Sequence, residues 1–215
     1  DIVLADLAIG GTATKALLHA PKNGFFYVID RRTGKLISAD PFSEVTWASS
    51  VDLATGRPVE IAGARYERGR ATVAPTIYGA HGWHAMSFNP ATGLVYLPTI
   101  HQSMDLTDER VDLRAWTPTD WRADVPSEGL GVEVVGFAST RPDGTWGTLQ
   151  AWDPVARRRV WEVRLPGRWN PGTMTTAGNL VFQGRADGTF AAYDAGDGRE
   201  LWQVKLGLGI SAPPI

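Results

Sequence analysis

Gly147-Thr-Leu-Gln-Ala-Trp-Asp153, with Trp161 eight residues on, is written again as Thr189-Phe-Ala-Ala-Tyr-Asp194, with Trp202 eight residues on. The copies stand 41 residues apart, and in each the Trp lies ten residues after an Ala. A fixed period of about 40 residues marks a chain built of repeated supersecondary units. Within a copy, the Asp side chain can accept backbone N–H bonds from residues two ahead and so cap a tight turn. Asp194-Ala-Gly-Asp-Gly198 therefore predicts a hairpin turn. Gly188 to Tyr193 enters it as a strand, and Arg199 to Lys205 leaves it with the polar and apolar alternation of a strand. A Trp at the same place in each unit is a large rigid anchor with one N–H donor, suited to docking one four-stranded sheet on the next. Trp161 and Trp202 are each expected between neighbouring sheets.

Working outward, Asp30-Arg-Arg-Thr-Gly34 repeats the Asp, x3, Gly spacing after the buried-looking strand Phe25 to Ile29, but Ser38 stands where the later copies carry Trp. Asp52 to Gly56 and Asn89 to Gly93 give the turn twice more. Asp1 to Ile9 and Lys15 to Ala20 read as a hairpin closed at Gly10-Gly11. Glu60 to Thr76 has no clear period and reads as a surface loop. A longer one is expected over about 101–145, where Asp, Glu, Arg, Pro, Trp116 and Trp121 follow no steady pattern; loops of that length are uncommon and often functional. The segment from Gly207 to Ile215 resembles the opening strand of a further unit. The expectation is an all-β chain, one partial β-propeller domain over residues 1–215. Its blades are four-stranded antiparallel sheets with tryptophan-docking motifs, and there is room for roughly four to five of them.

Composition sets outer bounds. The chain has 215 residues, 43% of them hydrophobic, with 24 Gly, 14 Pro and nine Trp, which suits a turn-rich β architecture with a substantial core. A formal charge of −2 offers no basic patch for nucleic acid, and no apolar run approaches the ~20 residues that span a bilayer. Without cysteine, the chain can form no disulfide, thiolate metal site or Cys-x-x-Cys-His haem attachment of its own. Asp1 to Leu7 lacks the basic start and apolar run of a signal peptide.

Three stretches carry a resemblance: Ala20-Pro-Lys-Asn-Gly-Phe-Phe-Tyr-Val-Ile-Asp-Arg31, Trp83-His-Ala-Met-Ser-Phe-Asn-Pro-Ala-Thr-Gly-Leu-Val-Tyr96, and Trp169-Asn-Pro-Gly-Thr-Met-Thr-Thr-Ala-Gly-Asn-Leu-Val-Phe-Gln-Gly184. They resemble the quinoprotein alcohol dehydrogenases, which use pyrroloquinoline quinone (PQQ), and the Ala192, Asp194, Gly198, Trp202 pattern is similar to the tryptophan-docking motif that ties their eight blades together. The resemblance implies a periplasmic enzyme that oxidises a primary alcohol with PQQ and a bound calcium ion, passing electrons to an acceptor such as a cytochrome. It leaves room for a haem c domain outside this chain. The family's catalytic Asp, its calcium ligands and its vicinal disulfide lie upstream of the match to Asp1, so this chain corresponds to the C-terminal half or less of a catalytic propeller and is expected to be inactive alone.

Residue by residue, Lys22 matches the family's cation at a quinone oxygen, where charge appears on hydride transfer. Trp169 and Asn170 match a segment that reaches the quinone's carboxylates with neutral donors; as ordinary residues they would pack in the core and cap a turn. Both are expected to face the central axis on the side of Lys22. Trp83 matches an Asn-Trp pair near the cofactor, with Gly82 replacing the Asn and Ala85 the usual Pro. The candidates left for a base are scattered carboxylates such as Asp105, Asp108 and Glu109 on the long loop, none in a segment matching the catalytic Asp. His81, His84 and His101 lack a ligand spacing that predicts a metal site. Two other readings share the repeats: a non-catalytic scaffold that binds proteins, like the PQQ-like propellers of outer-membrane assembly, and a sugar-oxidising quinoprotein.

Overall fold

A computed structural model describes residues 1–65, 69–109, 112, 114 and 132–215. Every strand pairing among them is antiparallel, and no helix among them is long and apolar enough to cross a membrane. Three four-stranded sheets follow one another. The first is β1 (Val3–Ile9), β2 (Thr12–His19), β3 (Phe25–Asp30) and β4 (Leu36–Pro41), paired in chain order. The second takes β8 (Ser87–Asn89) and β9 (Leu94–Ile100), then β12 (Gly147–Asp153) and β13 (Arg158–Leu165). The third is β14 (Thr173–Thr175), β15 (Leu180–Gly184), β16 (Thr189–Asp194) and β17 (Glu200–Lys205). First strands touch first strands, β1 with β8 and β8 with β14, so the sheets stand like consecutive blades of a propeller.

The repeat is visible in backbone detail. In β3, β12 and β16 the register against the next strand shifts two residues before the turn Asp, at Val28/Ile29, Ala151/Trp152 and Ala192/Tyr193. Each turn Asp accepts the N–H two residues on, Arg32, Val155 or Gly196, at 2.8–2.9 Å. Its carbonyl accepts the N–H four residues on, at Gly34, Arg157 or Gly198, also at 2.8–2.9 Å. That fifth residue is left-handed in all three, with φ of 75°, 57° and 76°, a conformation natural to Gly and costly to Arg157.

Two cores fill the spaces between sheets. Between the first and second, Leu7, Leu18, Phe26 and Val28 meet Val95, Leu97 and Trp152, whose ring stacks on Phe26 at 5.6 Å. Between the second and third, Trp161 stacks on Tyr96 at 5.6 Å and lies against the backbone of Gly198, where a Cβ would come within 2.6 Å of the indole. Trp161 Nε1 and the Tyr96 hydroxyl both donate to the Ala195 carbonyl at 3.0 Å. Trp161 therefore docks as expected. Trp202 does not: it is 51% exposed, touching Phe190 of its own sheet edge-on, because no described sheet lies beyond β17.

Other expectations are corrected. Three four-stranded sheets are present among the described residues, not four to five, because two long stretches leave the blades. One carries the ribbon of β5 (Ala48–Val51) and β6 (Pro58–Glu60), which holds the Asp52 turn. The 101–145 loop contains β10 (Gln102–Thr107) and β11 (Glu133–Ser139), which form a sheet with β7 (Ala71–Val73), a strand inside the stretch read as the 60–76 loop. Met104, Leu106 and Val132 give this sheet its own small core; the alternation on β10 is two apolar residues long, too short to register as a period. Trp116 and Trp121 lie outside the described residues. The Asn89 turn joins β8 to β9, a first-to-second connection rather than a third-to-fourth one. Residues 207–215 form no strand: Ile210 donates to the Arg185 carbonyl and packs over Gly184.

Candidate functional site

In an antiparallel sheet paired in chain order, the second-to-third connection and the approach to the first strand lie at the same end. Lys22 sits between β2 and β3, Trp83 on the approach to β8, and Trp169 and Asn170 on the approach to β14, so topology alone collects them there. The backbones are then sewn together. Ala80 N–H donates to the Lys22 carbonyl at 3.0 Å, His81 Nδ1–H to the Ala20 carbonyl at 2.7 Å, and Thr173 N–H to the Ala85 carbonyl at 2.8 Å. Two glycines make the approach possible: a Cβ on Gly79 would fall 2.5 Å from the Lys22 Cβ, and one on Gly172 would fall 2.4 Å from the Ala85 nitrogen.

An aromatic group surfaces from this stitching. Trp83 is 66% exposed and stacks on the buried His84 ring at 4.3 Å. His84 also meets Trp169 at 5.7 Å, and Trp169, 38% exposed, stands edge-on to Tyr78 at 5.5 Å. Phe137 of β11 leans on Tyr78 at 5.8 Å, so the inserted sheet borders the group. The Arg168 guanidinium lies 4.9 Å over the Tyr78 ring and 5.6 Å from Trp169, within cation–π range. Lys22 Nζ donates to the Ile77 carbonyl at 3.2 Å, one residue before Tyr78, and has no carboxylate partner among the described residues.

Lys22, Trp83 and Trp169 thus share one end and present surface. Asn170 is buried instead. Its Nδ2 donates to the Gly167 carbonyl at 3.3 Å and its Oδ1 accepts Ala186 N–H at 3.2 Å, tying the approach to β14 to the β15–β16 turn. Tyr78 and Arg168 are the members sequence reasoning passed over, and His84, weighed there only as a metal ligand, is a third. Adjacency to the motif residues, in Trp83-His84 and Arg168-Trp169, was the signal for two of them; Tyr78 had none.

The histidines are neutral near pH 7. Burial pushes His81 down to about 4 against the opposing pull of its bond to Ala20, and burial also lowers His84. His101 is held at about 4 by burial and by the nearby Arg141 and Arg159, with Nε2 bonded to Thr148 Oγ1 at 2.9 Å. Asp105 is engaged by the Thr72 hydroxyl at 2.6 Å. No three His, Cys, Asp or Glu side chains converge on a metal position among the described residues. The surface offers exposed indole faces and two cations, a chemistry that fits a flat, multiply anionic aromatic group.

Residues 101–214 match the protein family described as outer membrane protein assembly factor BamB, of the PQQ-repeat type. Over its full length the chain is 48% identical to the quinohemoprotein alcohol dehydrogenase ADH IIB of Pseudomonas putida, covering 30% of that protein. It is 40% identical over its full length to the 1-butanol dehydrogenase (cytochrome c) of Thauera butanivorans, covering 31% of it. Among solved structures, a europium-containing methanol dehydrogenase superposes on all of the chain with a TM-score of 0.85 and 34% identity, the match taking up 36% of that structure. The chain spans about a third of the length of the relatives it matches. Repeat, blade geometry and similarity agree: the chain belongs to the PQQ-type β-propellers, and along its whole length it is similar to about a third of the length of quinoprotein alcohol dehydrogenases.

Proposed function

We propose that this chain supplies part of the quinone-binding end of a PQQ-dependent alcohol dehydrogenase that oxidises primary alcohols to aldehydes. The observation that carries the reading is the convergence of Lys22, Trp83 and Trp169 at one end of consecutive blades, with indole faces and the Lys22 side chain left exposed. PQQ, when bound, supplies the two-electron acceptor for the hydride leaving the alcohol carbon. In the proposed site the Lys22 ammonium holds the negative charge that hydride transfer places on a quinone oxygen, a stabilisation greater in the transition state than in the ground state. Trp83 and Trp169 wall the site with apolar surface, excluding water and strengthening that interaction. His84 sets the two indoles at a fixed spacing, and Arg168 adds a second cation.

The base and a hard, oxygen-ligated metal ion of the calcium type belong, in this reading, to parts of the protein outside the chain. We assign electron transfer to a cytochrome, in line with the name of the Thauera relative, and carry over the family's periplasmic location. A scaffold role would leave the exposed Lys22 and tryptophans without a task.

The test uses the full-length protein reconstituted with PQQ and calcium. Lys22→Ala is expected to lower kcat/KM for ethanol by about 100-fold while tryptophan fluorescence still reports saturable PQQ binding. Unchanged turnover in that variant sinks the assignment of Lys22. Fluorescence of Trp83→Phe and Trp169→Phe that quenches as in the wild type removes the indoles from the site.

A further inference from the structure

The junction of the first two sheets lacks the docking pair that closes the next one. At the second junction Trp161 lies on Gly198; the matching positions at the first are Ser38, eight residues after Asp30, and Arg157, four after Asp153. Ser38 is buried but carries no ring to fill the space. The result is two clefts that meet at Arg157. One, of about 330 Å³, is lined by Ile37, Ser38, Pro154 and Val155; the other, of about 480 Å³, has Phe42 and Trp152 among its lining residues.

The larger cleft is cationic. Arg141, Arg157, Arg158 and Arg159 line it. Arg141 and Arg159 share the carboxylate of Glu162, while Arg157 and Arg158 have no carboxylate partner among the described residues. Against these four positive charges stand Glu162 and the lining Glu44, and His101 on the wall is neutral.

We propose that this cleft binds a small oxyanion of charge −2 or more, a phosphate or a polycarboxylate. The guanidinium forks of Arg157 and Arg158 each pair with two oxygens of such a group, as they do with a carboxylate or a phosphate. Arg157 is also the turn residue held at φ 57° where the sister turns use Gly, so its side chain is kept at a conformational cost.

Binding to the full-length protein is measured by calorimetry and by the shift in Tm with inorganic phosphate and with citrate, at constant ionic strength set by chloride. Saturable binding of at least one is expected; the tighter arm tells phosphoryl from carboxylate chemistry. The double variant Arg157→Gly with Arg158→Gln, which places at 157 the residue of the sister turns and so keeps the fold, is expected to bind about tenfold or more weakly. Lys22→Ala is expected to leave binding unchanged, which separates this cleft from the proposed quinone end. No saturation with either anion, or equal affinity in the double variant, overturns the proposal.

Discussion

Burial holds the imidazoles of His81 and His101 neutral in the folded chain, with pKa values near 4 against an ordinary value of about 6.5. The sign follows from proton uptake. Between pH 6.5 and 4 the unfolded chain binds protons at these two residues and the folded chain does not, so their contribution to stability is complete above about 6.5 and is lost as pH falls toward 4. Each is worth about 3 kcal/mol at most by this reasoning. The urea midpoint is expected to drop steeply from pH 7 to 4.5, and the His81→Gln, His101→Gln double variant to flatten that slope; a wild-type midpoint constant over the window refutes it. The turn carboxylates Asp30 and Asp52, lowered by backbone N–H bonds, act in a separate window below about pH 4. Arg157 offers an opposite test. Releasing its left-handed backbone with Arg157→Gly recovers about 1–2 kcal/mol of strain less the entropy of a freer unfolded chain. A net gain of about 0.5–1 kcal/mol in chemical denaturation is expected, even as the variant loses affinity for anions.

Trp161 shows what one element contributes to its neighbour. Trp161→Ala removes a buried indole pressed between two sheets and is expected to cost about 3–5 kcal/mol. Trp161→Phe is expected to cost less than about 1.5 kcal/mol, because the Ala195 carbonyl keeps its bond from Tyr96 when the indole N–H is gone. Similar losses for the two variants would argue against docking by ring volume. The hairpins and their Trp were legible in sequence because a strand, an Asx-capped turn and a strand are encoded within about fifteen residues. The fate of Trp202 was not, because its burial depends on a sheet supplied by other residues. The same limit applied at the candidate site. Lys22, Trp83 and Trp169 came from motif resemblance, but Asn170 turning inward, and His84 bridging two indoles, depend on backbone bonds between segments some 90 residues apart, such as Thr173 to Ala85. No local pattern of residues records those.

Across the molecule, the later of the two long excursions leaves the blades regular because it begins and ends at a single point of the ladder. The chain leaves the second sheet after Ile100 and returns at Gly147, its partner across the strands, and His101 N–H donates to the Trp146 carbonyl at 2.9 Å. The sheet is thus closed at the neck of the excursion as a hairpin would close it. Loop-closure entropy grows only as the logarithm of loop length, so what lies beyond that neck is nearly independent of blade stability. Replacing residues 102–145 with an Asn-Gly turn in the full-length protein is expected to leave the Trp161 docking and its resistance to urea intact, while removing Phe137 from Tyr78 and, under the function proposed above, altering alcohol preference; global unfolding would count against the separation. The neck at His101 and Trp146 works like a socket. Segments of different length and sequence can be plugged in over the aromatic end without re-registering a strand, so under the function proposed above the cover of the site changes while the blades that hold it are inherited whole.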